Sequence, residues 1–162
     1  MSNPVFHRSS DGLSNPKSRA GAEAAMDVER SKPYVGTMVT IHYEAERCLH
    51  AGECVRALPQ VFDPERQPWI QPNGAPADVV AEIVRRCTSG ALRYRMANGQ
   101  TETPVRPTAV ARTDSGQILV RGDLRVETAT GPRQETRATL CGCGTSANAP
   151  YCDGSGPCGS RP

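Results

Sequence analysis

What most constrains this chain is where its seven cysteines fall: Cys48, Cys54 and Cys87 in the first half, and Cys141, Cys143, Cys152 and Cys158 crowded into one short stretch near the end. Residues 141 to 155 read Cys-Gly-Cys-Gly-Thr-Ser-Ala-Asn-Ala-Pro-Tyr-Cys-Asp-Gly-Ser, a turn-rich run with almost no apolar bulk. Thiols there have no core to fill, so a metal centre is the economical expectation. The rest of the chain agrees. With two Phe and one Trp in 162 residues, large apolar side chains are too few for one deep core. Two small domains are expected instead, each of a size that needs a staple. An odd cysteine count fits a closed disulfide framework poorly, and no charged-then-apolar leader opens the chain. Metal-bound thiolates in a reducing, cytoplasmic setting are therefore predicted.

The pattern along the chain gives an α+β organisation. Residues 1–33 are rich in Ser, Asn, Gly and Ala, contain Pro4 and Pro16, and show no apolar period, so they read as a disordered tail. His7 lies in it as a solvated residue, and Met26 offers a second start. Order is expected from Val35, with Val39, Ile41 and Tyr43 alternating as a half-buried strand and His42 on its polar face. A cysteine loop, Cys48 to Cys54, leads into a short helix that Pro59 stops. After a proline-rich loop, Val79, Val80, Ile83, Val84 and Cys87 form the buried stripe of a second helix starting near Pro76. Asp78 and Glu82 at its start and Arg85 and Arg86 at its end suit the helix dipole, and Gly90 ends it. Leu92, Tyr94 and Met96 read as a closing strand. Residues 34–97 thus form a first domain, 98–110 a linker and 111–162 a second, β-rich domain. In that second domain two short strands are expected around a Gly122-Asp123 turn, and another from about Arg137 to Leu140.

The C-terminal run resembles the iron-sulfur motif of the CDGSH family. Cys141, Cys143, Ser146, Pro150 and Cys152-Asp153-Gly154-Ser155 all fall at the motif's spacing. The resemblance implies a 2Fe-2S cluster, with Cys141 and Cys143 on one iron and Cys152 on the other. Pro150 then shapes the approach to Cys152, Ser146 and Asp153 cap turns, and Gly154 and Ser155 complete the loop. The family's terminal His, the fourth ligand, is replaced by Gly156, and Gly142 stands where Arg is frequent. Cys158 is the remaining thiol, and the alternatives to it are a free tail thiol with water or a small thiol on the iron.

The first cysteine set resembles a divergent single-cluster ferredoxin over residues 34 to 96. Cys48 and Cys54 flank the variable loop position, and Cys87-Thr88-Ser89-Gly90-Ala91-Leu92 matches the distant Cys-Pro-Ser-Gly-Ala-Leu stretch except at the Pro. Phe62-Asp63 and Pro68-Trp69-Ile70 fit as well. The variable position is Ala51, which has no ligand atom. Three thiolates suit a 3Fe-4S cluster, or a 4Fe-4S cluster whose last iron takes another ligand; His50 is the nearest candidate, ahead of Glu53. The alternative for His50 is a local hydrogen bond in its loop.

These resemblances imply a small ferredoxin-like α/β domain followed by a β-rich CDGSH-type domain, together an electron carrier serving redox partner proteins. No nucleophile with an activating base and no phosphate-cradling glycine loop is visible, which points away from an enzyme. A net charge of +2 with dispersed basic residues gives no nucleic-acid footprint. No apolar run approaches the roughly 20 residues of a membrane span. The CDGSH resemblance also implies a homodimer. The alternatives are a zinc-bound structural or interaction module, and a cluster-transfer or redox-sensing protein.

Overall fold

The computed structural model describes residues 30–159. The readings made of residues 1–29, including His7 and Met26, lie outside them. Two three-stranded antiparallel sheets carry the chain, with the order β1-β2-β3 in one and β4-β5-β6 in the other. The first holds β1 (Lys32–Val35), β2 (Val39–Tyr43) and β3 (Leu92–Met96), with β2 central. Helix α1 (Glu53–Ala57) and helix α2 (Ala77–Arg85) lie between β2 and β3 in sequence. Ordered pairing begins earlier than the expected Val35, since Lys32 pairs with Tyr43 and Pro33 with His42. Only Tyr34 of β1 faces inward, so this strand has no apolar alternation to betray it.

The buried stripe of α2, comprising Val80, Ala81, Ile83 and Val84, packs in one core with Ile41, Val61, Phe62, Ile70 and Leu92, while Val79, expected in that stripe, is exposed. Trp69 lies against that core with Tyr43 edge-on to it at 4.9 Å between ring centroids.

The second sheet holds β4 (Ala109–Arg112), β5 (Ile118–Thr128) and β6 (Gly131–Leu140). The expected turn at Gly122-Asp123 is instead a register shift between Arg121 and Leu124 inside one long strand. Gly122 is needed there because a Cβ would meet Thr108 Oγ1 at 2.3 Å. The hairpin turn comes later, where Thr128 pairs with Gly131. The last strand begins at Gly131 rather than near Arg137. Its apolar content is too low to mark it, because its inward positions are Arg133, Glu135, Arg137 and Thr139, at 8%, 5%, 1% and 1% exposure.

This half has a very small apolar core of Leu124, Ala138 and Tyr151. Burying an aliphatic side chain stabilises by only about 1.5–3 kcal/mol, so the polar contacts of β6 with the first half matter here. Arg133 grips the Glu44 carboxylate with two bonds of 2.8 Å. Arg47, 0% exposed, pairs with Glu135 at 2.6 Å. Burial alone would push the Glu44 carboxyl up, but the bonds from Arg133 and the charges of Arg133, Arg47 and Arg93 bring it below its usual range. Among the described residues no helix is long and apolar enough to cross a membrane.

Candidate metal centres

β6 runs directly into Cys141, and the chain then folds back on it: Cys141 N–H bonds to Pro150 O and Cys152 N–H to Thr139 O, each at 2.9 Å. Within this loop Ser146 accepts from Asn148 N–H at 3.1 Å and donates to Tyr151 O at 2.7 Å. Pro150 follows a cis bond. Asp153 accepts from Ala147 N–H and Ser155 N–H at 2.9 Å each, and from the Ser155 hydroxyl at 2.6 Å. Those bonds, the Ser155 hydroxyl foremost, hold its carboxyl down at about 2. Gly154 turns the chain with φ +76°. Ser146, Asp153 and Ser155 are thus ties of the loop framework.

Four sulfurs gather inside that frame. Cys141 and Cys143 Sγ lie 3.5 Å apart, and Cys152 and Cys158 Sγ 3.4 Å apart. Cys158 also reaches Cys143 at 3.2 Å and Cys141 at 3.9 Å. Among the described residues Cys141, Cys143 and Cys158 form a group with all sulfurs within 4.8 Å of one another. Cys158, on the short 3-10 turn Pro157–Gly159, is 2% exposed. It lies buried among the other sulfurs rather than exposed in a tail. The gathering depends on Gly156: a Cβ there would meet Thr145 Oγ1 at 1.8 Å and Cys143 Sγ at 2.9 Å. The position where a family histidine stands is therefore closed to any side chain in this arrangement. Gly142 is likewise closed, because a Cβ would meet Gly116 O at 1.8 Å.

The electrostatics of the group favour thiolate at one member. The Thr145 hydroxyl and hydrogen bonds from the Cys158 region bring the Cys143 thiol down to about 6. Its neighbour Cys158, hydrogen-bonded to Cys143 and buried, is pushed up to about 12. Gly144 N–H donates to Cys141 Sγ at 3.3 Å, and Gln117 Nε2 to Cys152 Sγ at 3.5 Å. Thr145 and Gln117 were not legible as site residues, because neither type nor spacing marks them. Two thiolates on one tetrahedral metal with ~2.3 Å bonds sit roughly 3.8 Å apart, so both sulfur pairs are at ligand spacing and the donor set suits iron or zinc.

The first set shares one small cavity of about 50 Å³, walled by Cys48, Cys54, Cys87, His50, Ala51, Tyr43 and Trp69. Cys54 stands at the start of α1 and Cys87 two residues after α2. Burial, reinforced by the neighbouring Cys87 and Cys48, pushes the Cys54 thiol up. Burial and a hydrogen bond with Cys48 raise the Tyr43 hydroxyl as well. His50 is exposed and, alone among non-glycine residues described, takes a positive φ, of 52°. Such a conformation is uncommon outside glycine and asparagine. Glu53 is also at the cavity, but is tied to Arg56 in an exposed ion pair. His42 lines a different cavity, between the sheets, with Arg93, Arg95 and Glu102.

Comparison with known proteins agrees with both halves. Residues 34–97 match the family described as a divergent 4Fe-4S mono-cluster, and residues 115–155 the one described as an iron-binding zinc finger of CDGSH type. Over 62 residues, 38% of this chain and 82% of the relative, the sequence is 36% identical to the uncharacterized protein YjdI of Escherichia coli K12. The YjdI of Escherichia coli O157:H7 matches to the same extent. No solved structure matches the chain. The chain thus belongs to the divergent single-cluster 4Fe-4S family, with a CDGSH-type iron-binding segment joined to it.

Proposed function

We propose that this protein is a small two-centre electron carrier, with a 2Fe-2S cluster held by Cys141, Cys143, Cys152 and Cys158. A 3Fe-4S or 4Fe-4S cluster is held by Cys48, Cys54 and Cys87, with His50 as the fourth ligand in the four-iron case. The observation that carries the reading is the gathering of four cysteine sulfurs in one loop, with Cys158 at 3.2 Å from Cys143, 3.4 Å from Cys152 and 3.9 Å from Cys141, and Cys141 at 3.5 Å from Cys143. Four thiolates are what an all-cysteine two-iron centre requires of its protein. Cys158 thereby takes the role that histidine plays in the family pattern, from two positions further along the chain. For the first site the support is the shared cavity and the unusual backbone of His50 beside Ala51.

An all-cysteine two-iron site has no imidazole to protonate, so its potential is insensitive to pH near neutrality. Voltammetry between pH 6 and 8 is expected to give a flat line for this centre. A slope near about 59 mV per pH unit, one proton per electron, contradicts the assignment of Cys158. His50→Ala should alter the electron paramagnetic resonance signal or iron count of the first site, and an unchanged spectrum removes His50 from it. The zinc reading has its own support, in the three sulfurs of Cys141, Cys143 and Cys158 that lie mutually within 4.8 Å. In that case zinc is recovered without sulfide.

A further inference from the structure

The last carbonyls of an α-helix have no partner within it. At the end of α2 they are met by arginines from the other half of the chain. Arg121 Nη2 donates to Arg85 O at 2.9 Å. Arg137 Nη2 donates to Val84 O at 2.9 Å and to Leu92 O at 2.5 Å, while its Nε donates to Cys87 O at 2.6 Å. Arg137 Nη1 faces the Glu102 carboxylate and the Thr136 hydroxyl. This guanidinium makes four hydrogen bonds and an ion pair, and four of its partners (Val84, Cys87, Leu92 and Glu102) lie outside β6. Arg137 is 1% exposed and stands four residues before Cys141, on the strand that runs into it.

One fixed side chain therefore spans the peptide that carries Cys87 and the strand that delivers Cys141. The two cysteine loops meet elsewhere as well. Arg47, next to Cys48, lies over the ring of Tyr151, next to Cys152, at 4.1 Å, and Tyr151 bonds to Glu135 at 3.0 Å. Asn148 donates to Glu46 O at 3.1 Å.

We propose that Arg137 is a positioning residue for Cys87, and that the two cysteine sites consequently load with metal as a coupled pair. The inference rests on reading both sets as metal sites. Metal at the second site orders the loop after β6 and with it the strand that carries Arg137, because such loops fold on their metal. The seated guanidinium then fixes the Cys87 peptide, as outer-shell partners fix metal ligands generally. By linkage the coupling acts equally in the reverse direction.

The test is anaerobic titration of the full chain with ferrous iron and sulfide, following each site by its own electron paramagnetic resonance signature. The variants are Arg137→Met, Arg137→Lys and the double variant Cys143→Ser/Cys152→Ser. Loss of the outer-shell bond in Arg137→Met is expected to weaken iron uptake at the first site about 10- to 100-fold. The double variant, which cannot fill the second site, should weaken it in the same direction. Arg137→Lys keeps a charge opposite Glu102 but cannot span Cys87, Val84 and Leu92 together. It should leave the second site's spectrum unchanged while lowering uptake at the first. If Arg137→Met does not fold, Arg137→Lys carries the test. First-site uptake at the wild-type level in Arg137→Lys or in the double variant overturns the proposal and leaves the two metal sites standing. A wild-type chain that takes up no iron at Cys48, Cys54 and Cys87 overturns both.

Discussion

At the scale of single residues, Gly156 and Cys158 act as one exchange. Removing a side chain at 156 lets the backbone pass Cys143 Sγ, and that passage brings Cys158 inside. Even Gly156→Ala should therefore disrupt the sulfur cluster, since its methyl falls 1.8 Å from Thr145 Oγ1. The expected readout is loss of visible absorbance on purification, as in Cys158→Ser; full retention in Gly156→Ala contradicts the steric account. Asp153 supplies a pH test. Its folded value of about 2 lies below its ordinary carboxylate value. Its contribution to loop stability is therefore complete above about pH 4 and lost as pH falls from there through about 2. Asp153→Asn should remove that part of the acid dependence, followed by circular dichroism or cluster absorbance. In the metal-free chain, alkylation of Cys143 should slow as pH falls through about 6, where its thiolate takes up a proton.

At the scale of elements, β6 shows what the sequence made legible and what it hid. The α2 stripe, β2 and β3 were readable because apolar residues recur at the helical or strand period. The two cysteine sets were readable because thiolates at fixed spacing have few other uses. β6 obeys the same period of two, but with Arg133, Glu135, Arg137 and Thr139 as the inward residues. An expectation that charge faces water assigns that face to solvent, whereas here Arg133 and Glu135 are buried against Glu44 and Arg47 of the first half, and Arg137 against its backbone carbonyls. The sequence left Cys158 open between a ligand and a free tail thiol, because its inward position depends on a close approach at Gly156 that no periodicity encodes. The buried charges carry a prediction of their own. Breaking such a pair from one side leaves an uncompensated charge and costs about 3–5 kcal/mol. Glu135→Gln, which removes the carboxylate charge 2.6 Å from buried Arg47, should lower the urea midpoint accordingly. A shift worth under about 1 kcal/mol, the range of exposed pairs, contradicts that assignment.

At the scale of the whole molecule, the chain consists of two small halves joined by Glu44, Arg47, Arg133, Glu135 and Arg137. One half has an apolar core, and the other relies on its cysteine loop and on these charges. The halves should therefore unfold together. Trp69, the single tryptophan, packs on the first core, and its fluorescence should report the same transition as the strand signal of the second sheet. Two separated transitions contradict a shared interface of this strength. The central claim is that both cysteine sets bind iron-sulfur clusters. The most direct measurement is iron, zinc and acid-labile sulfide per chain on protein purified without oxygen. The account predicts iron and sulfide in amounts that require two centres, falling to those of the first centre or below in Cys143→Ser/Cys152→Ser. Zinc without sulfide in the wild-type chain contradicts it.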